Sequence, residues 1–86
     1  MTEPSFKKRL AWQCRRGMLE LDVILIPFLE QHFEALDSVQ QDLFAELLQA
    51  ADPDLYTWLM GFGQCPSAAL ADMVCLIQRK MQITNR

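Results

Sequence analysis

Four punctuation points divide the 86 residues into helix-length pieces: Gly17, Ser38, the pair Asp52-Pro53 and the pair Pro66-Ser67. Glycine ends helices because it enters the left-handed conformation without a Cβ penalty. Serine and aspartate start them by accepting bonds from unpaired first-turn amides, and proline suits a first turn, where its missing N–H is not needed. Between these points apolar residues recur at three- and four-residue intervals, the spacing of one helix face. Strands have little to build from. The chain has 13 leucines against 3 valines and 4 isoleucines, and leucine favours helix where β-branched residues favour strand.

The pieces predict five helices. The first covers about residues 5–16, with Phe6, Leu10 and Cys14 as its stripe and Arg15 and Arg16 in the last turn, where cations suit the carbonyl end of the dipole. The second begins near Met18 or Leu19, carries Glu20 and Asp22 in its first turn and runs to about Leu36. Pro27 inside it predicts a kink, while Ile24, Leu25, Phe28, Leu29, Phe33 and Leu36 give a face wide enough for a central position. Ser38 with Gln41 forms an S-x-x-Q capping pattern for the third, whose stripe is Leu43, Phe44, Leu47, Leu48 and Ala51. Asp52 as N-cap and Pro53 in the first turn open a short fourth helix that carries Leu55, Trp58, Leu59 and Phe62 and stops at Gly61 or Gly63. The fifth starts at Pro66-Ser67, presents Leu70, Met73, Val74, Ile77 and Met81, and gives way to a polar tail over 82–86 that is expected to fray. No internal repeat or low-complexity segment interrupts this plan. A chain of 9.9 kDa has room for one core, so residues 1–86 read as a single all-α domain, a compact bundle of about five helices.

The net charge of −3 conceals a segregation. Residues 1–16 carry five basic and one acidic side chain, 17–78 ten acidic and none basic, and 79–86 three basic. The acidic body would repel a polyphosphate, so the basic first helix, with Trp12 among its cations, reads as a solvated face before it reads as a nucleic-acid contact. The longest apolar stretch, 23–29, is broken by Pro27 and falls far short of the roughly 20 residues a membrane crossing needs. The residues after Lys7, Lys8 and Arg9 form no apolar run of signal-peptide length. Three cysteines, Cys14, Cys65 and Cys75, make neither a disulfide frame nor a C-x-x-C pair, and adding His32 matches no standard zinc spacing. A reduced, cytoplasmic setting is expected, with no metal.

Enzyme signals are sparse. The lone histidine, His32, sits between Leu29 and Phe33 in a helical stretch and reads as a structural residue before it reads as a base for a nucleophile. Gly61-Phe62-Gly63 lacks the spacing and the Lys-Ser/Thr of a phosphate loop, and Asp52 and Asp54 are accounted for by capping and first-turn electrostatics. The remaining feature is the junction Arg15-Arg16-Gly17-Met18-Leu19-Glu20-Leu21-Asp22, which packs both signs of charge around a glycine. From the residues alone it serves equally as an ordinary helix junction or as a turn that enters a partner's cleft.

Arg16-Gly17-Met18-Leu19-Glu20 matches the R-G-x-x-E motif of the succinate dehydrogenase flavinylation factors, also called succinate dehydrogenase assembly factors. Ile26-Pro27-Phe28-Leu29 resembles that family's Pro-Phe stretch, Asp52-Pro53-Asp54-Leu55-Tyr56-Thr57-Trp58-Leu59 its Asp-x-Asp-Leu-x-x-Trp-Leu segment, and Met73-Val74-Cys75-Leu76-Ile77 its C-terminal helix. The short N-terminus, without a transit extension, is similar to that of bacterial members. The resemblance implies an assembly chaperone, not an enzyme; the chain itself is expected to be a monomer. It would bind the flavoprotein subunit of succinate dehydrogenase, or of fumarate reductase, and promote covalent attachment of FAD while binding no cofactor tightly itself. It also implies a partner-binding set of Arg16, Gly17 and Glu20 flanked by Arg9, Arg15, Met18 and Asp22, with Trp12 either joining that face or lying in the core. On that basis Arg16→Ala, Gly17→Arg and Glu20→Ala should spare the fold and lower covalent flavin, whereas Leu47→Ala and Trp58→Ala should act through stability. An antitoxin-like or regulatory adaptor using the same surface, and a nucleic-acid module using the basic helix, are the alternatives.

Overall fold

Five α-helices and one 3-10 turn account for the regular structure of residues 4–83, the part of the chain that the computed structural model describes: α1 (Pro4–Cys14), α2 (Leu19–His32), the turn Phe33–Ala35, α3 (Ser38–Leu47), α4 (Asp52–Leu59) and α5 (Ala68–Lys80). Among the described residues there is no strand. The Cα radius of gyration, 11.9 Å, matches the roughly 12 Å expected of a compact chain of this length.

Helix α1 ends at Cys14, two residues before the expected Arg16. The reason lies in the next few residues: the Arg16 backbone N–H donates to Asp22 Oδ1 at 2.8 Å, and Gly17 turns the chain with φ +79°. Helix α2 opens at Leu19 as expected and remains helical through Pro27, then stops at His32 instead of reaching Leu36. The chain finishes that stretch as the 3-10 turn because a buried side chain takes the carbonyls it leaves over: Gln41 Nε2 donates to Phe33 O at 3.1 Å and to Leu36 O at 3.3 Å.

That use of Gln41 also moves the start of α3. The capping box is Asp37 with Gln40, one residue ahead of the expected Ser38 and Gln41: Asp37 Oδ1 accepts from the Gln40 amide at 2.8 Å and Gln40 Oε1 accepts from the Asp37 amide at 3.1 Å. Asp37→Ala is therefore expected to cost about 1 kcal/mol while Ser38→Ala stays near neutral, a contrast that thermal denaturation of the two variants measures. At α4 the N-cap is Ala51, so Asp52 and Pro53 occupy the first two helical positions and the Asp52 carboxylate caps nothing. Gly61, at φ +80°, ends this helix, and Phe62 beyond it is thrown off the apolar stripe, 70% exposed instead of in the core. Ser67 caps α5, its hydroxyl accepting from the Leu70 amide at 3.4 Å. Gln82 and Ile83, expected to fray, are tied down by amide bonds to Arg79 O and Gln78 O, and Ile83 packs on the core. The rest of the expected frayed tail, 84–86, lies outside the described residues.

Helix α2 is the centre, packing on α1, α4 and α5, while α3 and α4 also pack on α5. Leu10 and Cys14 from α1, Leu21, Leu25 and Phe28 from α2, Phe44 and Leu47 from α3, Leu55 and Leu59 from α4, and Met73 and Ile77 from α5 are buried together. Three phenylalanines knit the middle, with Phe44 5.3 Å from Phe28 and 6.1 Å from Phe33 between ring centroids. The consequence for function is one of placement: α1 and α2 meet at the Gly17 turn, and the α3–α4 connection lies directly against it.

Candidate functional site

The Gly17 turn is built from two sides. From within, Arg16 is fixed at both its backbone and its side chain. Its amide is bound to Asp22, and its guanidinium reaches across the molecule, with Nε donating to Asp52 Oδ1 at 2.7 Å, Nη1 to Leu48 O at 2.8 Å and Gln13 O at 3.0 Å, and Nη2 to Ala50 O at 2.6 Å. Only 14% of this side chain is exposed. Leu48 and Ala50 carry carbonyls at the end of α3, where the helix dipole is negative, and Asp52 opens α4, so the guanidinium sits in a pocket of acceptors that its planar fork fills.

From outside, the same turn is open. Arg9, Arg15, Gly17 and Glu20 are exposed, a Cβ built on Gly17 meets nothing within 4 Å, and the Glu20 carboxylate has no hydrogen-bond or ion-pair partner among the described residues. Arg15 lies over the Trp12 ring at 5.9 Å and Arg9 over Phe6 at 5.7 Å. Trp12 is 76% exposed and so belongs to the surface, not to the core. Leu19 and Val23, one turn apart on α2, are exposed at 72% and 55%.

The expected binding residues therefore divide. Arg9, Arg15, Gly17 and Glu20 are exposed, Met18 is half-buried against the core, and Arg16 and Asp22 are half-buried and bonded within the molecule. The expectation that Arg16→Ala spares the fold is corrected here, since that change removes one ion pair and three carbonyl contacts at once. Asp52 is the residue whose part in this constellation the sequence pattern hid, because Asp-Pro at a helix start is already explained by capping. Leu19 and Val23 carried a legible signal, both being apolar yet off the α2 stripe defined by Leu21, Ile24, Leu25 and Phe28.

The other candidate groups differ in burial and packing. Burial pushes the Cys14 thiol up to about 12, the nearby Arg16 charge pulling it down and Asp22 pushing it up, so at neutral pH it is a protonated core residue. His32 is half-buried and packs on the Phe28 ring at 5.5 Å. Cys65 and Cys75 line a cleft of about 470 Å³ between the α4–α5 loop and α5, together with Trp58, Phe62 and Val74. Among the described residues no group of three or more His, Cys, Asp or Glu is placed to hold a metal ion, and no helix is long and apolar enough to cross a membrane.

Comparison with known proteins gives this geometry its context. The family model described as "Flavinator of succinate dehydrogenase" matches residues 8–81, a span that holds both the Gly17 turn and Asp52. The FAD assembly factor SdhE of Vibrio cholerae is 53% identical over 68 residues, 79% of each chain, and that of Pasteurella multocida is 43% identical over 79 residues, 92% of this chain and 94% of its own. The solution structure of a UPF0350 protein superposes with a TM-score of 0.80 at 46% identity, covering 95% of this chain and 87% of that one. At this identity and coverage, with the helical architecture shared, the chain belongs to the family of flavinators of succinate dehydrogenase.

Proposed function

We propose that this chain is an assembly chaperone that binds the flavoprotein subunit of succinate dehydrogenase, and that of fumarate reductase, and promotes covalent attachment of FAD to it. The observation that carries this reading is the two-sided turn: Glu20 stands exposed and unpaired, among the described residues, beside an open Gly17, on a backbone that the Arg16 and Asp22 hydrogen bonds anchor from behind. A carboxylate held ready in this way meets a cationic or amide-rich surface with little ordering cost. Arg9 and Arg15 flank it with positive charge, Trp12, Leu19 and Val23 supply apolar area, and Met18 supports the turn from the core side.

The bond to the flavin forms in the partner. The partner and its flavin supply the bond-forming chemistry, and the contribution of this chain is to hold a flavinylation-competent arrangement of the subunit. It binds no FAD tightly, acts in the cytoplasm and works as a monomer. The test is in-gel flavin fluorescence of the isolated flavoprotein subunit incubated with FAD, with and without this chain. Fluorescence that rises only with the chain present supports the reading; equal fluorescence in both lanes overturns it.

A further inference from the structure

We infer that Asp52, together with the carbonyls of Leu48 and Ala50, is a positioning element for the docking turn, acting through Arg16 from the α3–α4 connection. This rests on the reading of the Gly17–Glu20 turn as the partner-facing surface. Four observations carry it. The Asp52 carboxylate makes no capping hydrogen bond in its own helix, whose N-cap is Ala51, although with Asp54 it lies in the first turn, where its charge complements the dipole. Instead it takes Arg16 Nε at 2.7 Å, the one ion pair the guanidinium makes among the described residues. The remaining guanidinium nitrogens are filled by backbone carbonyls, two of them from the same connection, so the fork has one orientation in which every acceptor is met. Finally, Arg16 is anchored at its amide by Asp22, which leaves Gly17, at φ +79° and with open space around it, as the next point at which the chain can pivot.

Residue 16 is thus held to α2 by its backbone and to α3 and α4 by its side chain. The direction in which Gly17, Met18 and Glu20 leave it is set by both anchors. Without the Asp52 charge the guanidinium keeps its carbonyl partners, so the bundle survives, but the fork loses the ion that fixes its end and the turn samples other orientations. Asp52 touches no partner in this account; it acts by keeping Glu20 where a partner can meet it.

The experiment titrates the full chain against the isolated flavoprotein subunit with FAD, well below the melting temperature of each variant, and reads the half-saturating concentration and the plateau of covalent flavin. Asp52→Ala is expected to raise the half-saturating concentration roughly tenfold, the loss of one charge-assisted bond, with the plateau kept. Combined with Arg16→Lys, which breaks the fork but keeps the charge, it should add nothing beyond the larger single effect. Asp42→Ala, an exposed acid on α3, and Ile77→Val, a mild core change, should leave the half-saturating concentration unmoved, which separates positioning from loss of charge or of stability. Wild-type titration by Asp52→Ala, or effects of the two changes that multiply, would overturn the inference. If the wild-type chain itself promotes no flavin attachment, the docking reading fails instead. Positioning is then judged in the isolated chain, where Asp52→Ala should shift the amide resonances of Gly17 and Glu20 and speed exchange of the Arg16 amide; unchanged amides refute it.

Discussion

Glu20→Ala is expected to leave a fully helical, cooperatively melting protein that supports roughly ten- to a hundredfold less covalent flavin on the partner subunit when this chain is limiting. The magnitude comes from one charge-assisted hydrogen bond, about 1.5–3 kcal/mol, lost from a contact whose geometry the rigid turn has already set. The fold is spared because Glu20 is exposed and has no partner among the described residues. Gly17→Arg should have an equal or larger effect by another route. Its φ of +79° strains any L side chain by about 1–2 kcal/mol, but the space around it is open, so the protein still folds and the new side chain stands where a partner must approach. Thermal melting alongside in-gel flavin fluorescence checks both. Full flavinylation by either variant, in a strain lacking the wild-type chain, would remove the Gly17 turn from the binding surface.

Phe44→Ala is expected to do the reverse, reducing stability by about 3–5 kcal/mol and touching the partner surface nowhere. Its ring is wholly buried and meets Phe28 and Phe33, so truncation opens a cavity bordered by α2, α3 and the 3-10 turn. A domain of this length holds about 4–13 kcal/mol in all, so the variant sits near the edge of folding, and its melting temperature should fall by more than about 10 °C. Leu47, equally buried, belongs to the same group, whereas Trp58 is only half-buried and should cost less. Trp12→Ala, at an exposed site, should change stability by no more than about 0.5 kcal/mol. Chemical or thermal denaturation of Phe44→Ala and Trp12→Ala tests the distinction, and comparable losses in both would falsify the assignment of Trp12 to the surface.

Much of the fold was legible because it is local. The left-handed turn at Gly17, the Gly61 stop, the Ser67 cap and the stripes Phe44-Leu47 and Met73-Val74-Ile77 are each specified within a few residues, and the structure contains them. Where local patterns compete, the outcome passes to packing. Gln41 could cap α3 from Ser38 or enter the core; buried carbonyls at Phe33 and Leu36 need a donor more than an exposed helix start does, so Gln41 turns inward and Asp37 takes over the cap. Phe62 continues the periodicity of α4 on paper, but Gly61 ends the helix first and the period ceases to apply.

The Gly17 turn, proposed above as the docking surface, shows the same division. Its position, its glycine and its mixed charge can be read from residues 15–22, because a helix junction is a matter of nearest neighbours along the chain. The roles of its charged residues cannot. Arg16 and Glu20 look alike in a string, two ions of opposite sign flanking a turn, yet one is sealed against α3 and α4 and the other stands free among the described residues. An arginine side chain is long enough to reach acceptors anywhere within its span, and which acceptors lie there is set by how α3 ends and α4 begins, more than thirty residues further on. Short-range chemistry placed the helices and the turn; only the assembled bundle, by bringing Leu48, Ala50 and Asp52 up to Arg16, settled which charges hold the turn and which are left exposed.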